Sequence, residues 1–159
     1  MIKQLKPVDF PLVVEVIRSS FATVAKEFEL TEQNCPMYTS YSTTVEKLER
    51  RNKMGMLIYG LYNDELLIGS VTISKNDKHE CEILNLAVLP EYRHKGYGKQ
   101  LLFFCIEKAK EMKCSRIWFS FNADNAVLKN WYIENGFVLT ELKRLDVFPF
   151  NIGYMERAI

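Results

Sequence analysis

The sequence of 159 residues lacks an excess of either charge, since 21 Lys and Arg balance 20 Asp and Glu for a net charge of +1. Binding to nucleic acid or to an anionic membrane surface through bulk charge needs a clear basic excess. No window approaches the roughly 18 apolar residues of a membrane span, and the opening MIKQLKPVDF lacks the charged-then-apolar pattern of a secretion signal. We therefore expect no nucleic-acid or membrane partner and a cytoplasmic location.

Patterns that bind metals or form covalent intermediates are also missing. The four cysteines form no CxxC pair and no cluster with histidine at metal-ligand spacing. The two histidines, His79 and His94, have no partner at the spacing of a catalytic triad. These absences predict reduced, buried thiols, no metal and no acyl-enzyme intermediate.

Linkers and repeats are absent, so we expect one domain over residues 1–159. Helical spacing of apolar residues predicts a helix capped by Asp9 and running through Phe21, and further helices at Thr44–Arg51, from Gly98 onward, and at Ala126–Asn135. The segment Glu29–Tyr41 shows no period and is predicted to be a loop. Strands are predicted at Ile2–Leu5, Met56–Tyr62, Glu65–Ser74, His79–Leu89, Arg116–Phe121, Phe137–Leu145 and Gly153–Ile159. This order predicts an α/β protein with a mixed sheet flanked by helices.

The stretch LNLAVLPEYRHKGYGKQLL, residues 84–102, joins a strand to a helix through a basic, glycine-containing turn. Backbone N–H groups at a helix start bind phosphate, and Gly96 and Gly98 let an anion approach the backbone closely. Arg93, Lys95 and Lys99 could add charge at the rim. The turn fits neither the Walker A nor the Rossmann fingerprint. It indicates a pyrophosphate site, with a plain basic helix cap as the alternative.

Two blocks of the sequence carry a family resemblance. Arg93-x-x-Gly96-x-Gly98, after Leu84-Asn85-Leu86-Ala87-Val88-x-Pro90, resembles the signature of the GNAT superfamily of acetyl-CoA-dependent N-acetyltransferases. Asn125-Ala126-x5-Tyr132-x3-Gly136-Phe137 resembles a second block of that superfamily, and together the match covers about Ile58 to Phe137. The resemblance implies a mostly antiparallel sheet of about seven strands, about four helices, and a fourth and a fifth strand that splay apart after Val88.

The resemblance also implies roles for individual residues. Acetyl-CoA would be the co-substrate, with its pyrophosphate at the amides of the turn and its pantetheine arm along the main chain of the fourth strand. Tyr132 would be the general acid, although an aromatic core residue is the competing interpretation. Asn125 would face the same cleft or simply cap its helix. The implied coenzyme-binding set is Leu86, Ala87, Val88, Arg93, His94, Lys95, Gly96, Tyr97, Gly98, Lys99, Asn125 and Tyr132.

Glu82 is the candidate general base. Strict alternation would place Glu80, Glu82, Leu84, Leu86 and Val88 on one face of the fourth strand, where apolar neighbours would raise the pKa of Glu82. A solvated glutamate and a water chain are the alternatives. Ser120 occupies the position at which some members of the superfamily carry a base on the fifth strand.

The acceptor is the least defined partner. By the resemblance it is a primary amine of a small molecule or peptide, and its pocket would be lined by Phe28, Tyr38, Tyr41, Phe148 and Phe150. Acidic side chains in the same segments could attract a cationic amine. A non-catalytic module that binds acyl-CoA as a sensor is the alternative function, and a homodimer is possible by analogy only.

Overall fold

The structure, a computed structural model, describes residues 1–159 and contains one seven-stranded sheet. Its spatial order is β1-β2-β3-β4-β5-β7-β6, in which β4 and β5 are parallel and all other neighbours are antiparallel. The predicted mixed sheet is therefore confirmed. The strands are β1 Ile2–Gln4, β2 Leu57–Asn63, β3 Leu66–Lys75, β4 Glu80–Val88, β5 Arg116–Asn122, β6 Val138–Lys143 and β7 Ile152–Ala158.

Five α-helices accompany the sheet: α1 Phe10–Glu27, α2 Thr39–Ser42, α3 Val45–Lys53, α4 Tyr97–Glu111 and α5 Ala126–Glu134. The additional helix, α2, lies at the end of the segment predicted to be a loop, because a single turn is too short to show a period. Asp9 does not cap α1 as predicted. Its carboxylate instead accepts a 2.9 Å hydrogen bond from the backbone N–H of Lys6 and closes a 3-10 turn at Pro7–Asp9.

The helices divide into two layers. On one face, α4 and α5 cover a core that includes Leu101, Cys105 and Tyr132. On the other face, α1 and α3 cover a second core that includes Ile17 and Leu48. All four cysteines are buried and unbonded to one another, as the sequence predicted. No helix is long and apolar enough to cross a membrane.

A β-bulge in β4 overturns the predicted alternation of its side chains. Ser70 and Thr72 of β3 lie opposite Ala87 and Leu84, so β4 has one extra residue in this interval. Asn85 adopts φ 52°, a left-handed conformation that Asn tolerates better than most residues.

The extra residue reverses which face each later side chain occupies. Cys81 and Ile83 face the α4 core, and so does Val88, whereas Ala87 packs in the α1 core. Glu82 therefore shares its face with Leu84 and Ala87. The prediction that it shares a face with Leu86 and Val88 is wrong.

β4 and β5 separate earlier than expected. Their pairing covers only Glu80–Glu82 against Arg116–Trp118, although β4 continues to Val88 beside β3 and β5 continues to Asn122 beside β7. The strands thus diverge after Glu82 instead of after Val88, and the bulge at Asn85 lies within the divergent part. We call this opening between residues 83–88 and 119–122 the strand split.

Candidate active site

The N-terminus of α4 presents a run of free backbone donors. The N–H groups of residues 94–99 have no acceptor within the chain, and the first bond of the helix runs from Gln100 N to Gly96 O at 3.0 Å. His94 and Gly96 have left-handed backbones, with φ of 61° and 87°, so the chain curls around these amides. Alternating backbone handedness of this kind makes a concave anion site, and the helix dipole adds to it. We call residues 94–99 the amide cradle.

The two glycines of the cradle serve different needs. A Cβ on Gly96 would meet nothing within 4 Å, but its positive φ disfavours any side chain. A Cβ on Gly98 would lie 3.6 Å from the indole ring of Trp131, so α5 packs close to the first turn of α4. The space beside Gly96 is therefore open.

Arg93 has its side-chain donors engaged inside the protein. Its guanidinium donates to Ser20 O at 2.6 Å, Thr23 Oγ1 at 2.8 Å and Val88 O at 3.2 Å. It thereby connects α1 to the end of β4. Lys95 and Lys99, both exposed, remain as the cations beside the amide cradle.

Tyr132 combines a packed ring with an unengaged hydroxyl. Its ring centroid lies 4.1 Å from that of Phe119 and 5.7 Å from that of Phe137, and the residue is 6% exposed. The hydroxyl makes no hydrogen bond within the chain. Burial raises the pKa of Tyr132 above its ordinary value, so the phenol keeps its proton at neutral pH. Asn125 caps α5 by accepting a 3.1 Å hydrogen bond from Leu128 N.

Glu82 lies where the strand split begins. It is the last residue of β4 that pairs with β5, opposite Trp118, and it is half-buried on the face covered by α1 and α3. Burial raises its pKa, and the opposing effect of Arg51 is smaller. Tyr132 belongs to the α4 side of the sheet and Glu82 to the other side.

The five residues predicted to line an acceptor pocket do come together. Ring centroids are 6.3 Å apart for Tyr38 and Phe150 and 5.3 Å apart for Phe148 and Phe150. Tyr38 and Phe150 are buried, whereas Phe28, Tyr41 and Phe148 are half-buried around them. The group is a small aromatic core between the end of α1 and the start of β7, with three partly accessible rings.

Arg51 is a residue of the site region that the sequence reading missed. Its guanidinium makes no hydrogen bond within the chain, and its Nη1 atom is enclosed. Leu48, three residues earlier on α3, is fully buried, so helical spacing alone directs Arg51 toward the sheet. The three-residue spacing from Leu48 was the feature of the sequence that could have predicted this orientation of Arg51.

The chain thus combines a seven-stranded mixed sheet, two parallel strands that split, and a helix start with six free backbone donors. Residues 21–137 match the model of the Acetyltransferase (GNAT) family, and the chain belongs to this family. The superfamily and the acyltransferase class predicted from the sequence are thereby confirmed.

Several relatives are similar over much of the chain. An uncharacterized N-acetyltransferase of Schizosaccharomyces pombe is 32% identical over 96 residues, which span 58% of this chain and 66% of that protein. The spermidine N(1)-acetyltransferase of Thermoplasma acidophilum is 26% identical over 149 residues, or 91% of this chain and 92% of that protein. The crystal structure of PaiA N-acetyltransferase from Thermoplasma acidophilum, in complex with coenzyme A, superposes with a TM-score of 0.84 at 24% identity and covers 100% of this chain and 98% of its own.

Proposed function

We propose that the protein transfers an acetyl group from acetyl-CoA directly to a primary amine of a small molecule or peptide. The observation that carries the proposal is the amide cradle, six consecutive free N–H groups beside an open strand split. A helix start with this many free donors suits the two linked phosphates of a coenzyme better than a simple cap.

The chain offers coenzyme A two kinds of contact. The amide cradle would hold the pyrophosphate, with Lys95 and Lys99 adding charge. The pantetheine arm would lie along the edge of β4 at Leu86 and Ala87, where β5 no longer provides backbone partners. When bound, acetyl-CoA supplies an acetyl group activated as a thioester.

Two side chains would then move protons. The Glu82 carboxylate, whose pKa burial raises, would accept the proton of the incoming ammonium group. The Tyr132 hydroxyl, protonated and without a partner in the chain, would donate to the departing sulfur. The two groups belong to opposite faces of the sheet at the same split, which suits reactants that enter from opposite sides.

The relatives support a primary amine as acceptor. One is named for spermidine, and a second, from Haemophilus ducreyi, is named a ribosomal protein bS18-alanine N-acetyltransferase and is 26% identical over 98 residues. Both names specify a primary amine on very different molecules. The half-buried rings of Phe28, Tyr41 and Phe148 would contact the apolar part of the acceptor.

The test is thiol release from acetyl-CoA with a panel of polyamines, amino acids, aminoglycosides and peptides. Turnover with any primary amine, with acetylated product confirmed by mass, supports the proposal. Tight binding of acetyl-CoA in calorimetry without turnover of any amine would instead favour the acyl-CoA sensor.

A further inference from the structure

Arg51 is a half-buried cation without a partner. It lies on the sheet-facing side of α3, its guanidinium makes no hydrogen bond or ion pair in the chain, and Nη1 is enclosed. An enclosed charged donor is stable only when some acceptor satisfies it. The other half-buried arginines, Arg93, Arg116 and Arg157, have such acceptors within the chain.

The sheet face that α1 and α3 cover carries two further polar groups. Thr72 alternates along β3 with Val71 and Ile73, which belong to the α4 core, so its side chain points to the α1 and α3 face. Its Oγ1 atom is enclosed and also lacks a partner. Glu82 lies on the same face of the neighbouring strand.

Arg51 and Glu82 interact electrostatically but form no ion pair within 4.0 Å. The chain thus holds a carboxylate and a guanidinium near each other without closing them into a salt bridge. An unpaired hydroxyl lies on the same face. This arrangement offers one negative and one positive site to a small molecule that carries both charges.

We propose that Arg51 binds a carboxylate of the acceptor, and that the acceptor is an amino acid or a similar amine with a carboxylate close to its amino group. This inference rests on the proposed function and specifies its acceptor. Glu82 would receive the ammonium group, while Arg51 would hold the carboxylate. A polyamine carries only positive charges, so it would leave Arg51 unpaired and be repelled by it.

The position of Arg51 also argues against the phosphates of coenzyme A as its partner. The phosphates of coenzyme A would lie at the amide cradle, which begins the helix on the opposite face of the sheet. The acceptor is therefore the reactant whose charge Arg51 meets.

The experiment compares acceptors that differ only by the carboxylate, such as phenylalanine with phenethylamine and leucine with isoamylamine, in wild type and Arg51→Gln. We expect wild type to prefer the amino acids, and Arg51→Gln to lower their kcat/KM by about 10- to 100-fold, mainly through KM. The amines without the carboxylate should change by less than about 3-fold, since they make no bond to Arg51. Arg50→Gln, a loss of the same charge from the exposed neighbouring residue, is the matched control and should leave the preference intact.

Two results would overturn the inference while leaving acetyl transfer intact: a wild-type preference for amines without a carboxylate, or the same preference in Arg51→Gln as in Arg50→Gln. If wild type acetylates no amine, the proposed function fails. Calorimetric titration of the amino acids with coenzyme A present then decides separately. Binding that is lost only in Arg51→Gln supports the carboxylate site, and equal or absent binding in both variants refutes it.

Discussion

Replacing Tyr132 by phenylalanine removes one oxygen atom and leaves the packed ring in place. The ring keeps its contacts with Phe119 at 4.1 Å and Phe137 at 5.7 Å between centroids. The lost hydroxyl has no hydrogen-bond partner in the chain. We therefore expect the free energy of unfolding to change by no more than about 0.5 kcal/mol.

The expected effect on catalysis is much larger. Positioned general acids contribute typically about 100- to 10,000-fold to a rate. A thiol has an ordinary pKa of about 8.5, so a thiolate leaves without complete protonation and the lower end of that range applies. We expect kcat to fall about 100-fold, which corresponds to about 2.7 kcal/mol of lost transition-state stabilisation.

Tyr59→Phe is a control of the same kind. Tyr59 belongs to the same core as Tyr132, is equally 6% exposed, and has a hydroxyl without a hydrogen bond in the chain. It lies on β2, which does not border the strand split. Its loss of a hydroxyl should leave both stability and kcat nearly unchanged.

Steady-state thiol release gives kcat and KM, and urea unfolding gives stability. A Tyr132→Phe protein that keeps kcat within about 2-fold of Tyr59→Phe would refute the acid assignment and leave Tyr132 as a core aromatic residue.

Three further perturbations test the amide cradle, the proposed base Glu82, and the hydrogen bonds by which Arg93 connects α1 to β4. Gly96→Ala and Gly55→Ala each place a Cβ in open space, at φ of 87° and 89°. Each should therefore lower the free energy of unfolding in urea by roughly 1 kcal/mol. Only Gly96→Ala should weaken coenzyme A binding in calorimetry, and equal affinities of the two variants would refute the role of the amide cradle. Glu82→Gln should remove the acidic limb of the kcat/KM profile, a limb expected above pH 4.5 because burial raises the pKa of Glu82, and an unchanged profile would favour a water chain. The folded state binds this proton more tightly than the unfolded chain, so wild type should lose stability relative to Glu82→Gln as pH rises from 4.5 through the folded-state pKa. Arg93→Ala should lower the free energy of unfolding by roughly 2–3 kcal/mol because three acceptors lose their donor. Lys95→Ala should lower only the affinity for coenzyme A. The opposite pattern would contradict the structural role of the Arg93 hydrogen bonds.

The strand, the turn and the helix start around residues 94–99 were predictable because everything needed for them is contiguous. The strand, the basic turn, the glycines and the helix start occupy one short stretch, so their geometry follows from local rules. The same holds for α5, where Asn125 caps the helix and Gly136 follows it with φ of 88°.

The other half of the site depends on contacts that local patterns do not encode. Arg93 finds its acceptors Ser20 and Thr23 seventy residues and more away, and the spacing of Arg93 within the signature gave no hint of them. The bulge at Asn85 is a single left-handed residue, yet it reverses the faces of every residue after it in β4. A period-two reading assumes that no such residue exists, which is why the faces of Leu86 and Val88 were predicted wrongly.

In the proposed reaction, the bulge lets one strand face both reactants. Without it, Glu82 and Val88 would lie on the same face of β4, and the proposed base would belong to the side on which α4 begins. With it, Glu82 faces α1 and α3 while Val88 packs in the α4 core beside the helix that carries the cradle. Arg93 then holds the far end of β4 against α1 through the Val88 carbonyl, at a point where β5 has already turned away. The divergent end of β4 is thus bonded to the Arg93 side chain where β5 no longer pairs with it.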